Sequence, residues 1–442
     1  MPTNLSIQCL PIDALVPDSR NPRAHSERQI KQIAASIKAF GFNIPIIVDG
    51  KNRVIAGHGR LLAARKLGMK EVPTIRLAHL TAAQTKAFMI ADNRLTENST
   101  WDDRLLAETL QELSIVELDF SLEDTGFSMG EIDLRIEGLI GAEEQKSDPA
   151  DEVPEIPNTP SISKPGDIWQ LGKHRLLCGS ALDALSYDIL MQGQKADAVI
   201  SDPPYNVKID GHVGGLGAIK HREFAMASGE MSELEFTDFL RRACSLMALN
   251  SHSGALHYLF IDWRHLHEMI TAGKQVYGQP KNLCVWDKGS GGMGSLYRSQ
   301  HELILVFKHG NVPHRNNVQL GANGRYRTNI WSYPGANSFG RKSEEGNLLE
   351  MHPTAKPVQM IADAIMDCTE RGDIVLDPFL GSGTTLMAAE RVGRICYGME
   401  IDPLYADTII RRWQKWTGEK ALHAVSGKSF EERIAEVEDA HV

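Results

Sequence analysis

Residues 196–206 read ADAVISDPPYN, an apolar run from Ala196 to Ile200 that ends in Ser201-Asp202-Pro203-Pro204-Tyr205-Asn206. The run has the length and composition of a buried strand, and two consecutive prolines stop helix and sheet pairing directly after it. A carboxylate, a rigid backbone elbow and an aromatic ring are thereby set side by side at a strand end. A plain strand-ending turn carries the same local signature, because Asp-Pro pairs are common turn formers. Residues far along the chain decide between a turn and a site.

A second strand-then-loop unit follows much later. The apolar Ile374-Val375-Leu376 leads into Asp377-Pro378-Phe379-Leu380-Gly381-Ser382-Gly383-Thr384-Thr385. Its glycines let backbone approach a ligand closely, and a helix opening near Thr384 points its amides at the same place. Phosphate-loop readings fail: no lysine follows Gly383, and Leu386 breaks the GxGxxG spacing. Asp377 suits an ammonium group, while Gly381 and Gly383 leave room for a compact amino-acid moiety. Glu400, ending the strand Ile395–Glu400, suits the hydroxyls of a ribose. Amino acid plus ribose is the shape of S-adenosylmethionine.

Around these units the chain alternates strands and helices. Strands are predicted at 198–200, 254–261, 282–286, 303–307, 374–376 and 395–400. Helices are predicted at 233–249, 263–273, 358–368, 384–391 and 405–417. Such alternation predicts an α/β, Rossmann-like domain: a mostly parallel sheet, helices on both faces, ligands beyond the carboxyl ends of the strands.

Four pieces in this order, DPPY, HPTAKP (His352 to Pro357), DPFLGSGTT and GMEIDPLY, resemble the amino-group DNA methyltransferases, adenine-N6 or cytosine-N4. The catalytic motif precedes the cofactor motif, which is similar to the permuted beta order, and the resemblance covers roughly residues 166–417. It implies S-adenosylmethionine as cofactor, no metal, and a catalytic group of Asp202, Pro203, Pro204 and Tyr205. The Asp202 carboxylate and Pro203 carbonyl would accept from the target amine, and Tyr205 would stack on a base flipped out of the duplex. By the same resemblance Asp377, Phe379, Gly381, Gly383 and Thr384 line the methionine side, Glu400 holds the ribose, and Lys356 lies near the methionine carboxylate. The segment Leu177–Asp183 looks like the strand beside the cofactor adenine, with Ser180 where Asp is usual. Asp183 either takes that place or compensates a helix N-terminus. His301 and Glu302 either orient the substrate strand or cap the sheet edge.

The chain has 442 residues and a formal net charge of −10, and the acidic excess is local. The stretch Lys308 to Lys342 holds Lys308, Arg315, Arg325, Arg327, Arg341 and Lys342 and no acid, with Tyr326, Trp331, Tyr333 and Phe339 among them. Basic residues interleaved with aromatics suit phosphate contacts and base readout, so residues 308–350 are the candidate target-recognition region, with an ordinary surface loop as the alternative. Arg315, Arg325, Arg327, Arg341 and Lys342 are its candidate DNA contacts. Gly211 to Gly229 reads either as a loop closing over DNA or as plain surface. Six scattered cysteines without a CxxC pair argue against a zinc ribbon or disulfide framework and fit a reducing cytoplasm. The histidines lack metal-site spacing, and no apolar run reaches the length of a membrane span.

Residues 141–166, with five prolines and many charges, read as an extended linker that cannot bury a core. They separate the methyltransferase region (167–425, then a tail, 426–442) from an N-terminal part (1–140). There a helix capped by Ser26 and ended by Gly41 is followed by strands at 45–48 and 53–56, the turn Gly57-His58-Gly59-Arg60, and helices at 61–67, 82–95 and 103–113. This order resembles the ParB-like nuclease and partition domains, an α+β fold whose glycine-arginine turn binds a phosphate-bearing ligand, often a nucleotide. The chain has GHGR where nucleotide-hydrolysing members carry GERR, so the resemblance implies the fold and not hydrolysis. The two glycines alone would also make a tight turn.

The expected function is therefore site-specific adenine-N6 methylation of double-stranded DNA, in a fusion common in phage and prophage restriction-modification enzymes. Asp at the start of DPPY, where many cytosine-N4 enzymes have Ser, favours adenine. Cytosine-N4 methylation, a non-catalytic ParB-like binding protein and an RNA substrate are the alternatives. A homodimer is compatible with the sequence.

Overall fold

The computed structural model describes residues 5–19, 21–116, 118–140, 148–154, 160–206, 229–291, 297–322, 324–335 and 356–439. The chain divides into two units, Met1–Ala142 and Glu143–Val442.

In the first unit β1 (Ile7–Pro11), β2 (Ile46–Val48), β3 (Val54–Ala56) and β4 (Glu71–Arg76) form a sheet in the order β1-β4-β2-β3. Helices α1 (Glu27–Phe40), α2 (His58–Lys66), α3 (Ala82–Glu97), α4 (Asp103–Ile115) and α5 (Met129–Ile140) accompany it. The Ser26 hydroxyl accepts from the Gln29 amide at the start of α1, and Gly41 ends that helix at φ +86°. Val48, Val54, Leu61 and Val72 form the main core, whereas α4 and α5 close a separate one through Leu110, Met129, Ile132 and Ile136. The predicted helices α1 to α4 form, and β4 and α5 are additions.

The second unit contains β5 (Ile168–Leu171), β6 (His174–Cys178), β7 (Ala196–Ser201), β8 (Ser251–Ile261), β9 (Asn282–Asp287), β10 (His301–Lys308), β11 (Ile330–Ser332), β12 (Ile374–Asp377), β13 (Ile395–Glu400) and β14 (Leu422–His423). They make one ten-stranded sheet in the order β11-β9-β10-β8-β7-β12-β13-β6-β5-β14. Its helices are α6 (Ala184–Met191), α7 (Glu233–Leu249), α8 (Leu266–Tyr277), α9 (Val358–Met366), α10 (Thr384–Arg391), α11 (Pro403–Thr417) and α12 (Phe430–Asp439). Side chains alternate across the sheet: Ala198 and Ile200 join the core under α9, α10 and α11, while Val199 joins the one under α6, α7 and α8.

The sheet is mostly parallel, with two strands reversed: β10 is antiparallel to both β8 and β9, and β5 is antiparallel to both β6 and β14, while the other strands share one direction. The turn between β5 and β6 is too short for a crossover, which forces an antiparallel pair. Two expectations need correction. The described parts of the 141–166 segment are not an extended linker but pack on the second unit. Ala150 is fully buried, Asp148 pairs with Arg391 at 2.6 Å, and Asp407 accepts the Ile162 and Ser163 amides at 2.7 and 2.9 Å. Its charges and amides thus find partners on α10 and α11, which offsets the missing apolar side chains. The tail beyond residue 425 is likewise folded, with buried Phe430 edge-on to Trp169 at 5.4 Å.

Candidate active site

Three carboxylates stand at the carboxyl ends of three neighbouring parallel strands: Asp202 just past β7, Asp377 closing β12 and Glu400 closing β13. Antiparallel β10 starts at the same sheet edge, since Leu303 pairs with Ile261 at the end of β8, and it brings Glu302 there. All four carboxylates line one cavity with Pro203, Pro204, Tyr205, Phe260, Lys356, Phe379, Leu380, Gly381 and Thr384. This is where an α/β sheet is expected to hold its ligands.

On one side of the cavity lies a chain of charges. The Tyr205 hydroxyl donates to Asp202 Oδ1 at 2.5 Å and lies 3.3 Å from Glu302 Oε2. Lys356 Nζ donates to Asp202 Oδ2, and Glu302 Oε2 is 3.4 Å from the same ammonium. Lys288 Nζ donates to Glu302 Oε1 at 2.6 Å. Burial opposes charge on Lys356, but Asp202 and Glu302 outweigh it and hold its pKa above the ordinary lysine value. Burial likewise opposes charge on Glu302, yet Lys356 and Lys288 keep it well below the usual carboxylate range. Burial, then Asp202 and Glu302, raise the Tyr205 phenol, so it is a hydrogen-bond donor at neutral pH.

On the other side Asp377 Oδ2 accepts from the Thr385 hydroxyl at 2.6 Å and Oδ1 from the Phe379 amide at 3.1 Å. Glu400 accepts the Gly381 and Asp402 amides, both at 2.9 Å. Burial pushes both acids up to about 7 against these hydrogen bonds. Two carboxylates held that near protonation favour a ligand that brings cationic or hydroxyl donors. Gly381 and Gly383 both take left-handed backbone, and a Cβ on Gly383 would press on Ile409 at 3.1 Å.

The profile described as DNA methylase matches residues 196–411, which run from β7 into α11 and include the four strand ends that carry the cavity's carboxylates. Profiles described as ParB N-terminal domain and ParB-methyltransferase HTH domain match residues 2–94 and 104–165. The chain carries a DNA methylase domain and a ParB-like N-terminal domain. The ParB-like nuclease domain-containing protein YnaK of Escherichia coli K12 is 44% identical over 84 residues, 19% of this chain and 97% of that protein. The type II methyltransferase M2.MboI of Moraxella bovis is 26% identical over 253 residues, 54% of this chain and 87% of that protein. Among solved structures, the M1.HpyAVI-SAM complex is similar at 20% identity and a TM-score of 0.37, covering 54% of this chain and 98% of that one.

The cofactor of this methylase is S-adenosylmethionine. Among the candidate site residues, Asp202, Pro203, Pro204, Tyr205, Lys356, Asp377, Phe379, Gly381, Thr384 and Glu400 converge on the cavity. Gly383 sits beside it as the residue capping α10. Within that cavity the Lys356 ammonium is bound to Asp202, 154 positions away. Asp183 caps α6 by accepting from Leu185 and Ser186, the simpler of its two readings. Sequence reading left Glu302 undecided; its position between two lysines is set by β9 and β10 pairing, which no local motif encodes.

The proposed DNA contacts of the methylase need a larger correction. Arg325 is 5% exposed and pairs with Asp363 and Asp367 of α9 and its cap at 3.2 and 3.0 Å. Arg327 pairs with Asp367 at 3.1 Å, and Arg315 pairs with Glu370. Trp331 is buried, and Tyr333 donates to Asp363. These side chains build the junction of β11 and α9, so Arg325 and Arg327 are not open to phosphates. Arg341, Lys342, Phe339 and nearly all of Gly211–Gly229 lie outside the described residues.

The HTH match takes in α5 and nearly all of α4. In the N-terminal domain Gly57 opens α2 at φ +95°, and Arg60 Nη2 approaches the Pro45 carbonyl at 3.4 Å. All six cysteines are free thiols, and no helix among the described residues is long and apolar enough to cross a membrane.

Proposed function

We propose that this DNA methylase transfers a methyl group to the exocyclic N6 of adenine at a specific site in double-stranded DNA. The observation that carries the reading is Asp202, a carboxylate held by Tyr205 and Lys356 at the rim of the cofactor cavity. An exocyclic amine is a poor nucleophile because its lone pair is delocalised into the ring. Hydrogen bonds from its two N–H groups to the Asp202 carboxylate and the Pro203 carbonyl localise that pair on nitrogen. Pro203 and Pro204 fix φ, so the carbonyl cannot relax away from the amine. The Tyr205 ring receives the flipped base while its hydroxyl orients Asp202. S-adenosylmethionine, when bound, supplies an electrophilic methyl group. Asp377 takes its ammonium, Glu400 its ribose, and Phe379 and Leu380 exclude water from the reacting centre.

Asp, rather than Ser, ahead of Pro-Pro-Tyr supports adenine over cytosine. The GHGR turn supports a phosphate-bearing ligand on the N-terminal domain, distinct from the methylated base. Incubation of the purified chain with labelled S-adenosylmethionine and duplex DNA, followed by nucleoside mass spectrometry, tests the reading. N6-methyladenine is expected; N4-methylcytosine alone overturns the choice of base, and no transfer to DNA favours a binding protein.

A further inference from the structure

Asp202 is to accept from the target amine, yet its charge is already shared: Tyr205 donates to Oδ1 and the Lys356 ammonium to Oδ2, which weakens both oxygens as acceptors for a further donor. Lys356 is 8% exposed, so its ammonium cannot simply leave for water. An unpaired buried ammonium is strongly unfavourable, and its release from Asp202 requires another carboxylate within reach. Glu302 Oε2 is that carboxylate, 3.4 Å from the same Nζ. Closing that gap to an ordinary ammonium–carboxylate distance of about 2.8 Å is a movement of roughly 0.6 Å. Lys288 holds the other Glu302 oxygen at 2.6 Å, which keeps Glu302 ionised and aimed at Lys356. The Phe260 ring, 4.7 Å below Nζ, supports the ammonium in either position.

We propose that Lys356 latches Asp202 while the base pocket is empty and that Glu302 is the positioning residue that takes Lys356 over when the target amine docks. The inference rests on the amino-methyltransferase reading and deepens it. No proton and no bond changes hands; one ammonium exchanges one carboxylate for another. Before docking, Asp202 is neutralised by Lys356. After docking, Asp202 directs its charge to the amine and becomes a stronger acceptor at the moment the lone pair must be localised.

The test is a cycle of Glu302→Gln, Lys356→Met and the double variant, measured as kcat/KM for duplex DNA and as cofactor affinity by calorimetry. Glu302→Gln leaves the latch closed, so kcat/KM falls about tenfold or more while cofactor affinity stays within about twofold. Glu302→Asp restores part of the loss. The double variant, which has no latch to release, is several-fold more active than Glu302→Gln alone, a recovery that a merely structural role would not produce. Near wild-type activity of Glu302→Gln overturns the proposal, as does a double variant no better than the single one. Loss of cofactor affinity in Lys356→Met also overturns it, by placing Lys356 on the cofactor. Failure of the underlying reading appears elsewhere, as absence of methyl transfer by the wild-type enzyme in the same assay.

Discussion

Replacement of Tyr205 by Phe separates two roles that the sequence alone assigns to one residue. The substitution keeps the ring that receives the base and removes the hydroxyl that donates to Asp202 Oδ1 at 2.5 Å. Fold stability changes little, because Asp202 keeps Lys356 and the cores on both sheet faces are untouched. A hydrogen bond to a charged group contributes about 1.5–3 kcal/mol. At about 1.4 kcal/mol per factor of ten, kcat should fall about 10- to 100-fold once Asp202 is free to turn. The longer contact, 3.3 Å to Glu302, adds little to this figure. Steady-state methylation of duplex DNA reads the effect, and calorimetry should give an unchanged cofactor affinity. Full turnover by Tyr205→Phe refutes the orienting role and leaves stacking alone. Tyr205→Ala, which removes both functions, should be weaker still.

Other outcomes follow from the packing and the charges. Burial holds Asp377 and Glu400 up to about 7, so near pH 6 both are largely protonated. Cofactor donors favour the ionised forms, so binding releases protons and affinity rises from pH 6 towards 7, by up to about tenfold per unit for each linked proton. Calorimetry in buffers of different ionisation enthalpy detects that release, and a flat profile contradicts it. Arg325→Gln should destabilise the second unit by about 3 kcal/mol, because Asp363 and Asp367 lose a buried partner. The salt dependence of DNA affinity should not change, whereas a lost phosphate contact would reduce its slope by about one. Gly273→Ala places a Cβ 2.2 Å from Phe307 Cζ, between α8 and β10. Overpacking of that kind costs about 1–3 kcal/mol, more than the helix propensity gained, and thermal unfolding should shift down by a few degrees.

What could be read from the sequence was what the chain encodes locally. SDPPYN and DPFLGSGTT each place a carboxylate just past an apolar run, and the fold sets both on adjacent strand ends. Helix α10 begins at Thr384, where the sequence places it, capped by Gly383 in left-handed backbone. Partnerships across long separations were not legible. A window from Lys308 to Lys342 contains no acid, but Arg325 and Arg327 take theirs from Asp363 and Asp367, some forty positions on. The 141–166 segment looked unable to fold because its partners, Arg391, Asp407 and Arg412, belong to helices more than 240 positions away. The partners of Lys356 were illegible for the same reason: the TAKP motif fixes its neighbours in sequence, while Asp202 and Glu302 are its partners in the cavity.

The central claim is that Asp202 presents an adenine amine to the methyl donor. Its most direct test is nucleoside mass spectrometry of DNA from a methylation-free host expressing either the wild-type chain or Asp202→Ala. The account predicts N6-methyladenine with the wild type and none with the variant. N4-methylcytosine as the sole product, or N6-methyladenine that persists without the Asp202 carboxylate, would contradict it.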